Sequence, residues 1–145
     1  MSKETINRTD KLQVKFISWN LRGFNGPVKR TKVFQHLKLL KADIVFLQET
    51  HLKINDHTRL RRPWVGQVFH SVFDPKARGA AILVLKKIQF IPESIIPDCN
   101  GRFIMVSGRM FHLPVILACV YAPNLVTAVS WPHFYLLFQI WIRII

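Results

Sequence analysis

Apolar positions change their period several times along the chain, and each change marks an element. Val14 to Trp19 alternates in part and is rich in β-branched and aromatic residues, which predicts a strand. Asn20 to Gly26 holds two asparagines and two glycines and predicts a loop. Pro27 suits the first turn of a helix, where its missing N–H costs nothing. Val33, Leu37 and Leu40 then recur at helical spacing, with Lys29, Arg30, Lys32, Lys38 and Lys41 mostly opposite, so a helix is expected from about 28 to 41. Asp43 to Gln48 encloses a continuous apolar run, the mark of a strand buried on both faces. A short helix is expected within 55–62, and strands over 65–73 and 79–85. Residues 103–106 and 113–120 read as a hairpin pair around Gly108. Strand, helix, strand, then mostly strands points to an α/β or α+β sheet with buried central strands.

Composition narrows the class. The chain has 145 residues, half of them apolar and 20% charged, which excludes wholesale disorder. Lys and Arg number 21 against 8 Asp and Glu, a formal charge of +13. Such a balance favours a polyanionic partner, nucleic acid first and an anionic membrane surface second. The charge is uneven: residues 1–62 hold 14 of the 21 cations. Two cysteines, Cys99 and Cys119, form neither a disulfide framework nor a metal-binding spacing and suggest a reducing compartment. Residues 1–11 are polar, carry both signs of charge and lack the apolar core of a signal peptide. Arg59-Leu60-Arg61-Arg62 is a weak nuclear-import signal, more readily a solvated basic loop.

Residues 125–145 stand apart, with 15 of 21 positions apolar and no acid. The length matches a bilayer span. Pro132, His133, Gln139 and Arg143 interrupt it, however, and its longest apolar run is Phe134–Phe138. A strand or helix covering apolar surface is the preferred reading, ahead of a membrane anchor.

Three polar residues follow strands that read as buried: Asn20, Glu49 and Tyr121. Ligands gather at the carboxyl ends of strands in open sheets. If strands 14–19, 44–48 and 113–120 are neighbours, an amide, a carboxylate and a phenol converge there. Such an oxygen-rich set suits Mg²⁺, held by one or two carboxylates, water and substrate phosphate. Taken singly, each residue has a blander role as turn former, solvated charge or packing residue.

Four strings occur in order: Phe16-Ile17-Ser18-Trp19-Asn20-Leu21-Arg22-Gly23, Asp43-Ile44-Val45-Phe46-Leu47-Gln48-Glu49-Thr50-His51-Leu52, Gly79-Ala80-Ala81-Ile82-Leu83-Val84 and Val120-Tyr121-Ala122-Pro123-Asn124. Together they resemble the endonuclease/exonuclease/phosphatase family over roughly residues 12–124. Within it they are most like the endonuclease domain of LINE-type retrotransposons, a relative of exonuclease III and apurinic-site (AP) endonucleases. The resemblance implies an α/β fold, part of a four-layered, DNase I-like sandwich of two facing sheets with helices outside. It also implies phosphodiester hydrolysis, commonly of DNA, with Mg²⁺ or Mn²⁺.

By the same resemblance, Asn20 hydrogen-bonds in the catalytic network, Glu49 is the metal ligand and Tyr121 stabilises charge on the phosphate. Asn124 lies at the DNA-facing rim by that resemblance, while Arg22, Lys29 and Arg30 are expected as nucleic-acid contacts from their charge alone. Gln48 and His51 flank the ligand. The family's later Gly-Asp-x-Asn motif, late Asp and terminal Ser-Asp-His motif are missing from this sequence, and no acid follows Asp98. A truncated, impaired member is therefore expected, with residues 1–11 as an extension and 125–145 foreign to the pattern. Three readings stay open: a metal-dependent DNA nuclease of the apurinic-site or repair type, a basic nucleic-acid-binding fragment that does not cut, and a membrane-tethered fragment. No obligate protein partner is expected, a membrane is disfavoured, and a DNA substrate favours the nucleus.

Overall fold

The computed structural model describes residues 13–121 and 140–144. Among these residues, eight strands form two four-stranded sheets. One has the order β1-β2-β4-β3, from β1 (Phe16–Asn20), β2 (Ile44–Gln48), β3 (Val65–Ser71) and β4 (Ala80–Leu85). The other has the order β5-β6-β7-β8, from β5 (Phe90–Pro97), β6 (Phe103–Met110), β7 (Leu113–Val120) and β8 (Ile140–Ile144). Helix α1 (Pro27–Leu39) and a 3-10 helix (Ile54–Leu60) complete the described elements.

The period-two geometry of a strand explains the layers. In β2 every residue is buried, as its continuous apolar run requires. Ile44 and Phe46 join Ile82, Val84, Ile104, Val106 and Leu117 in a core between the sheets. Val45 and Leu47 face the other way and meet Val33, Phe34, Leu37 and Leu60 beneath the helices. Among the described residues the result is three layers: helix, sheet, sheet. β1 and β2 run parallel with Asn20 opposite Gln48, a crossover that α1 supplies.

Several expectations shift. Helix α1 starts at Pro27 as its chemistry predicts, but its buried stripe is Val33, Phe34 and Leu37, and Leu40 lies just past its end. Gly108 is not in the hairpin turn. It sits inside β6, where an added Cβ would strike the carbonyl oxygen of Ile91, and the turn falls at Phe111 and His112, both with positive φ. β5 is an element that the apolar pattern did not disclose. Its two prolines argue against a central strand, and β5 is in fact an edge strand whose register shifts between Pro92 and Ser94. Of the apolar tail, Ile140–Ile144 pairs antiparallel with β7, Cys119 facing Ile140 and Val115 facing Ile144. No helix among the described residues is long and apolar enough to cross a membrane.

Candidate active site at the strand ends

The parallel pairing of β1 with β2 places Asn20 beside the end of β2, and Glu49 is the next residue after it. Glu49 takes a left-handed backbone, φ 52°. That turn brings its carboxylate back towards β1, where Asn20 Nδ2–H donates to Glu49 Oε1 at 2.9 Å. The other end of the same amide is also used: Asn20 Oδ1 accepts the Arg22 N–H at 3.1 Å. One amide therefore points its donor at the carboxylate and its acceptor at the loop, and both contacts fix its orientation. His51 Nε2 stands 3.8 Å from Glu49 Oε2, with the two side chains 20% and 21% exposed.

Tyr121 reaches this place by a different route from the one expected. β7 is not a neighbour of β1 or β2 within a sheet; it belongs to the facing one. The strand ends meet across the core instead. Cys119 Sγ–H donates to the Leu47 carbonyl at 3.4 Å, and Gln48 Nε2–H donates to Cys119 Sγ at 3.5 Å. The Tyr121 N–H then donates to the Arg102 carbonyl at 2.6 Å. The Tyr121 phenol is held above its ordinary pKa, first by burial and next by the negative charge of Glu49, while Arg78 pulls it down. A neutral phenol is the form that can donate to a phosphate oxygen.

The remaining sequence candidates divide. Gln48 is wholly buried and donates to Ser18 Oγ at 2.9 Å, so it ties strands together inside the core and does not flank a ligand. Lys29 Nζ–H donates to the carbonyls of Leu21 and Arg22, and Arg30 Nη1–H to those of Phe24 and Asn25. Both cations thus hold the loop that carries Arg22, which is itself exposed with φ 48°. Asn124 lies outside the described residues.

Two residues that the sequence reading passed over belong to this neighbourhood. Asn25 Nδ2–H donates to the carbonyls of His51, at 2.7 Å, and Pro75, at 3.1 Å, stitching three loops together. Arg78 accepts the His51 N–H at 2.9 Å through its carbonyl. Its only signal in the sequence was its place before Gly79 and a charge-free strand. Arg22, Glu49, His51 and Arg78 all have positive φ. Such backbone conformations are costly and tend to cluster where function needs them. Gly79, φ 97°, allows Thr50 to pack against the backbone, since an added Cβ would meet Thr50 Oγ1.

The donor set fits a hard divalent cation in one respect. Glu49 supplies a fixed carboxylate, and Mg²⁺ commonly takes one or two carboxylates with water and phosphate. Among the described residues, no three His, Cys, Asp or Glu side chains converge to complete a protein cage.

Comparison with known proteins gives the family and the fold. The Endonuclease/Exonuclease/phosphatase family matches residues 17–143. An AP endonuclease from Archaeoglobus fulgidus superposes with a TM-score of 0.54 at 22% identity, over 77% of this chain and 42% of its own. D. rerio TDP2, solved with a single-strand DNA product, gives 0.55 at 20% identity, over 77% of this chain and 48% of its own. The endonuclease domain of TRAS1, a telomere-specific non-LTR retrotransposon, gives 0.51 at 16% identity, over 76% and 45%. This chain therefore spans somewhat less than half the length of these structures.

Proposed function

The chain belongs to the endonuclease/exonuclease/phosphatase family, and from that premise we propose that it carries the metal-binding half of a phosphodiester hydrolase site whose substrate is DNA. The observation that carries this reading is the Asn20–Glu49 hydrogen bond at the paired strand ends, within the electrostatic reach of the Tyr121 phenol. In this reading Glu49 holds Mg²⁺ or Mn²⁺, which when bound neutralises charge on the phosphate. Asn20 keeps one carboxylate oxygen engaged and so aims the other. Tyr121, kept protonated by burial and by Glu49, donates to a non-bridging phosphate oxygen. Arg22 and the exposed cations of α1 draw the anionic backbone in.

Binding without cutting is the second reading, favoured by the +13 charge together with a single carboxylate at the site among the described residues. A supercoiled-plasmid nicking assay separates the two. Nicking that needs Mg²⁺, stops with EDTA and is lost in Glu49→Gln supports hydrolysis by this site. Nicking that survives Glu49→Gln rejects it. Salt-sensitive binding with no metal-dependent nicking leaves the binding module.

A further inference from the structure

A cation that no sequence motif singled out stands at the rim of this site. Arg78 closes the connection between β3 and β4. Its carbonyl accepts the His51 N–H at 2.9 Å, and the next carbonyl, that of Gly79, accepts the Thr50 N–H at 3.2 Å. The connection is thereby pinned to the two residues that follow Glu49. From its other side the Gly79 N–H donates to the Gly101 carbonyl at 2.9 Å, joining the loop between β5 and β6.

The Arg78 side chain also has contacts that direct it. Its guanidinium lies over the Phe73 ring, 4.5 Å from the centroid, and Nη1–H donates to the Asn100 carbonyl at 3.3 Å. That leaves most of its five donors uncommitted among the described residues. Nearby cations are differently employed. Arg102 pairs with Asp98 at 3.1 Å, Arg59 with Asp56 at 3.5 Å, and Lys29 and Arg30 serve loop carbonyls. Among the described residues Arg78 pairs with no carboxylate. Its φ of 62° is a further cost that the surrounding loops must hold in place.

A phosphodiester reaching Tyr121 is anionic and meets the negative charge of Glu49. A fixed guanidinium beside the same loop offsets that repulsion, and its planar fork matches two phosphate oxygens at once. We propose that Arg78 binds the phosphodiester anion in this site, with Phe73 and Asn100 setting the direction of its fork. The proposal rests on reading the Asn20–Glu49–Tyr121 cluster as a phosphodiester site. The field of Arg78 already reaches that cluster, since it opposes Glu49 at the Tyr121 phenol.

The test is anisotropy of a short fluorescein-labelled oligodeoxynucleotide with the full chain in EDTA, so that no metal bridges it to Glu49. Arg78→Gln is expected to weaken binding by about tenfold or more, as loss of hydrogen bonds to a charged group predicts. Arg78→Lys, which keeps charge but loses the fork, is expected to fall between. Lys76→Gln removes one charge from the same loop and is expected to cost less than about twofold. Glu49→Gln is expected to tighten binding in EDTA, because it removes the repelling charge. If Glu49→Gln tightens binding while Arg78→Gln matches Lys76→Gln, the Arg78 proposal is overturned and the phosphodiester site stands. If wild type does not bind, or neither Glu49→Gln nor Arg78→Gln moves the affinity, both are overturned. Thermal melts accompany every variant. Where Arg78→Gln does not fold, Arg78→Lys decides, and equality with Lys76→Gln overturns the proposal.

Discussion

Replacing Asn20 with alanine tests the geometry of the site at its smallest scale. The change deletes the 2.9 Å hydrogen bond to Glu49 Oε1 and, with it, the acceptor of the Arg22 N–H. It leaves the carboxylate itself intact. A hydrogen bond to an ionised group contributes about 1.5–3 kcal/mol in a buried setting. Asn20 is exposed and Glu49 about one-fifth exposed, so the lower figure applies. About 1.4 kcal/mol is a tenfold change in affinity, and removing the partner that orients a metal ligand commonly costs ten- to a hundredfold. Mn²⁺ titration followed by the electron paramagnetic resonance of the free ion reads this directly. Asn20→Ala is expected to bind about tenfold more weakly than wild type, and Glu49→Gln to bind no Mn²⁺ at this site. Asn20→Ala within twofold of wild type, beside a Glu49→Gln that loses the ion, would refute the claim that the amide aims the carboxylate.

Three further outcomes follow from the same structure. Glu49→Gln should lower the Tyr121 phenol pKa towards its ordinary value of 10, read by near-ultraviolet titration in a Tyr135→Phe background, because one of the charges that raise it is gone. The fold favours the neutral phenol, so its contribution to stability is whole below pH 10 and is lost as pH rises through the folded value. His70, half-buried with an Nδ1 that has no partner among the described residues, is held below the ordinary 6.5 first by burial and then by the His57 charge; its contribution is whole above 6.5 and lost as pH falls through the folded value, so urea midpoints should drop on acidification and the drop should shrink in His70→Gln. Gly108→Ala forces a methyl onto the Ile91 carbonyl and should cost about 1–3 kcal/mol with a matching fall in Tm, whereas an unchanged Tm would show that the β5 edge yields freely.

What the sequence disclosed, and what it hid, follow from how far each signal reaches. β2 was legible because burial on both faces goes with four successive apolar side chains, Ile44 to Leu47, and Pro27 was legible because its missing N–H suits one position. The same local logic failed at β5, where Pro92 sits at a register shift on an edge and not outside the sheet. It misplaced the turn after β6, because Gly108 is required by a close approach of β5 that no local window contains. Within the site, Asn20 and Glu49 could be paired from two strand ends, since a parallel crossover is a local expectation. Tyr121 could be named as the polar residue after a buried strand, but its arrival from the opposite sheet could not be read at all. Arg78 was invisible for the same reason: its position depends on loop-to-loop hydrogen bonds.

Gln48 shows why the strand ends can act together although they come from different sheets. The residue is wholly buried and lies one position before Glu49. Its amide donates to Ser18 Oγ on β1 and to Cys119 Sγ on β7, and Cys119 in turn donates to the Leu47 carbonyl on β2. Burial pushes the Cys119 thiol up to about 12, so it remains a neutral donor at any physiological pH. A buried polar group without a partner is expensive, whereas a satisfied network admits essentially one arrangement. Slipping β1, β2 or β7 by one residue would orphan at least one of these groups. The register that satisfies Gln48 is also the register that sets Asn20 beside Glu49 and brings Tyr121 to the same end. The position of the chemistry is thus enforced one residue deeper in the core, where neither metal nor nucleic acid reaches.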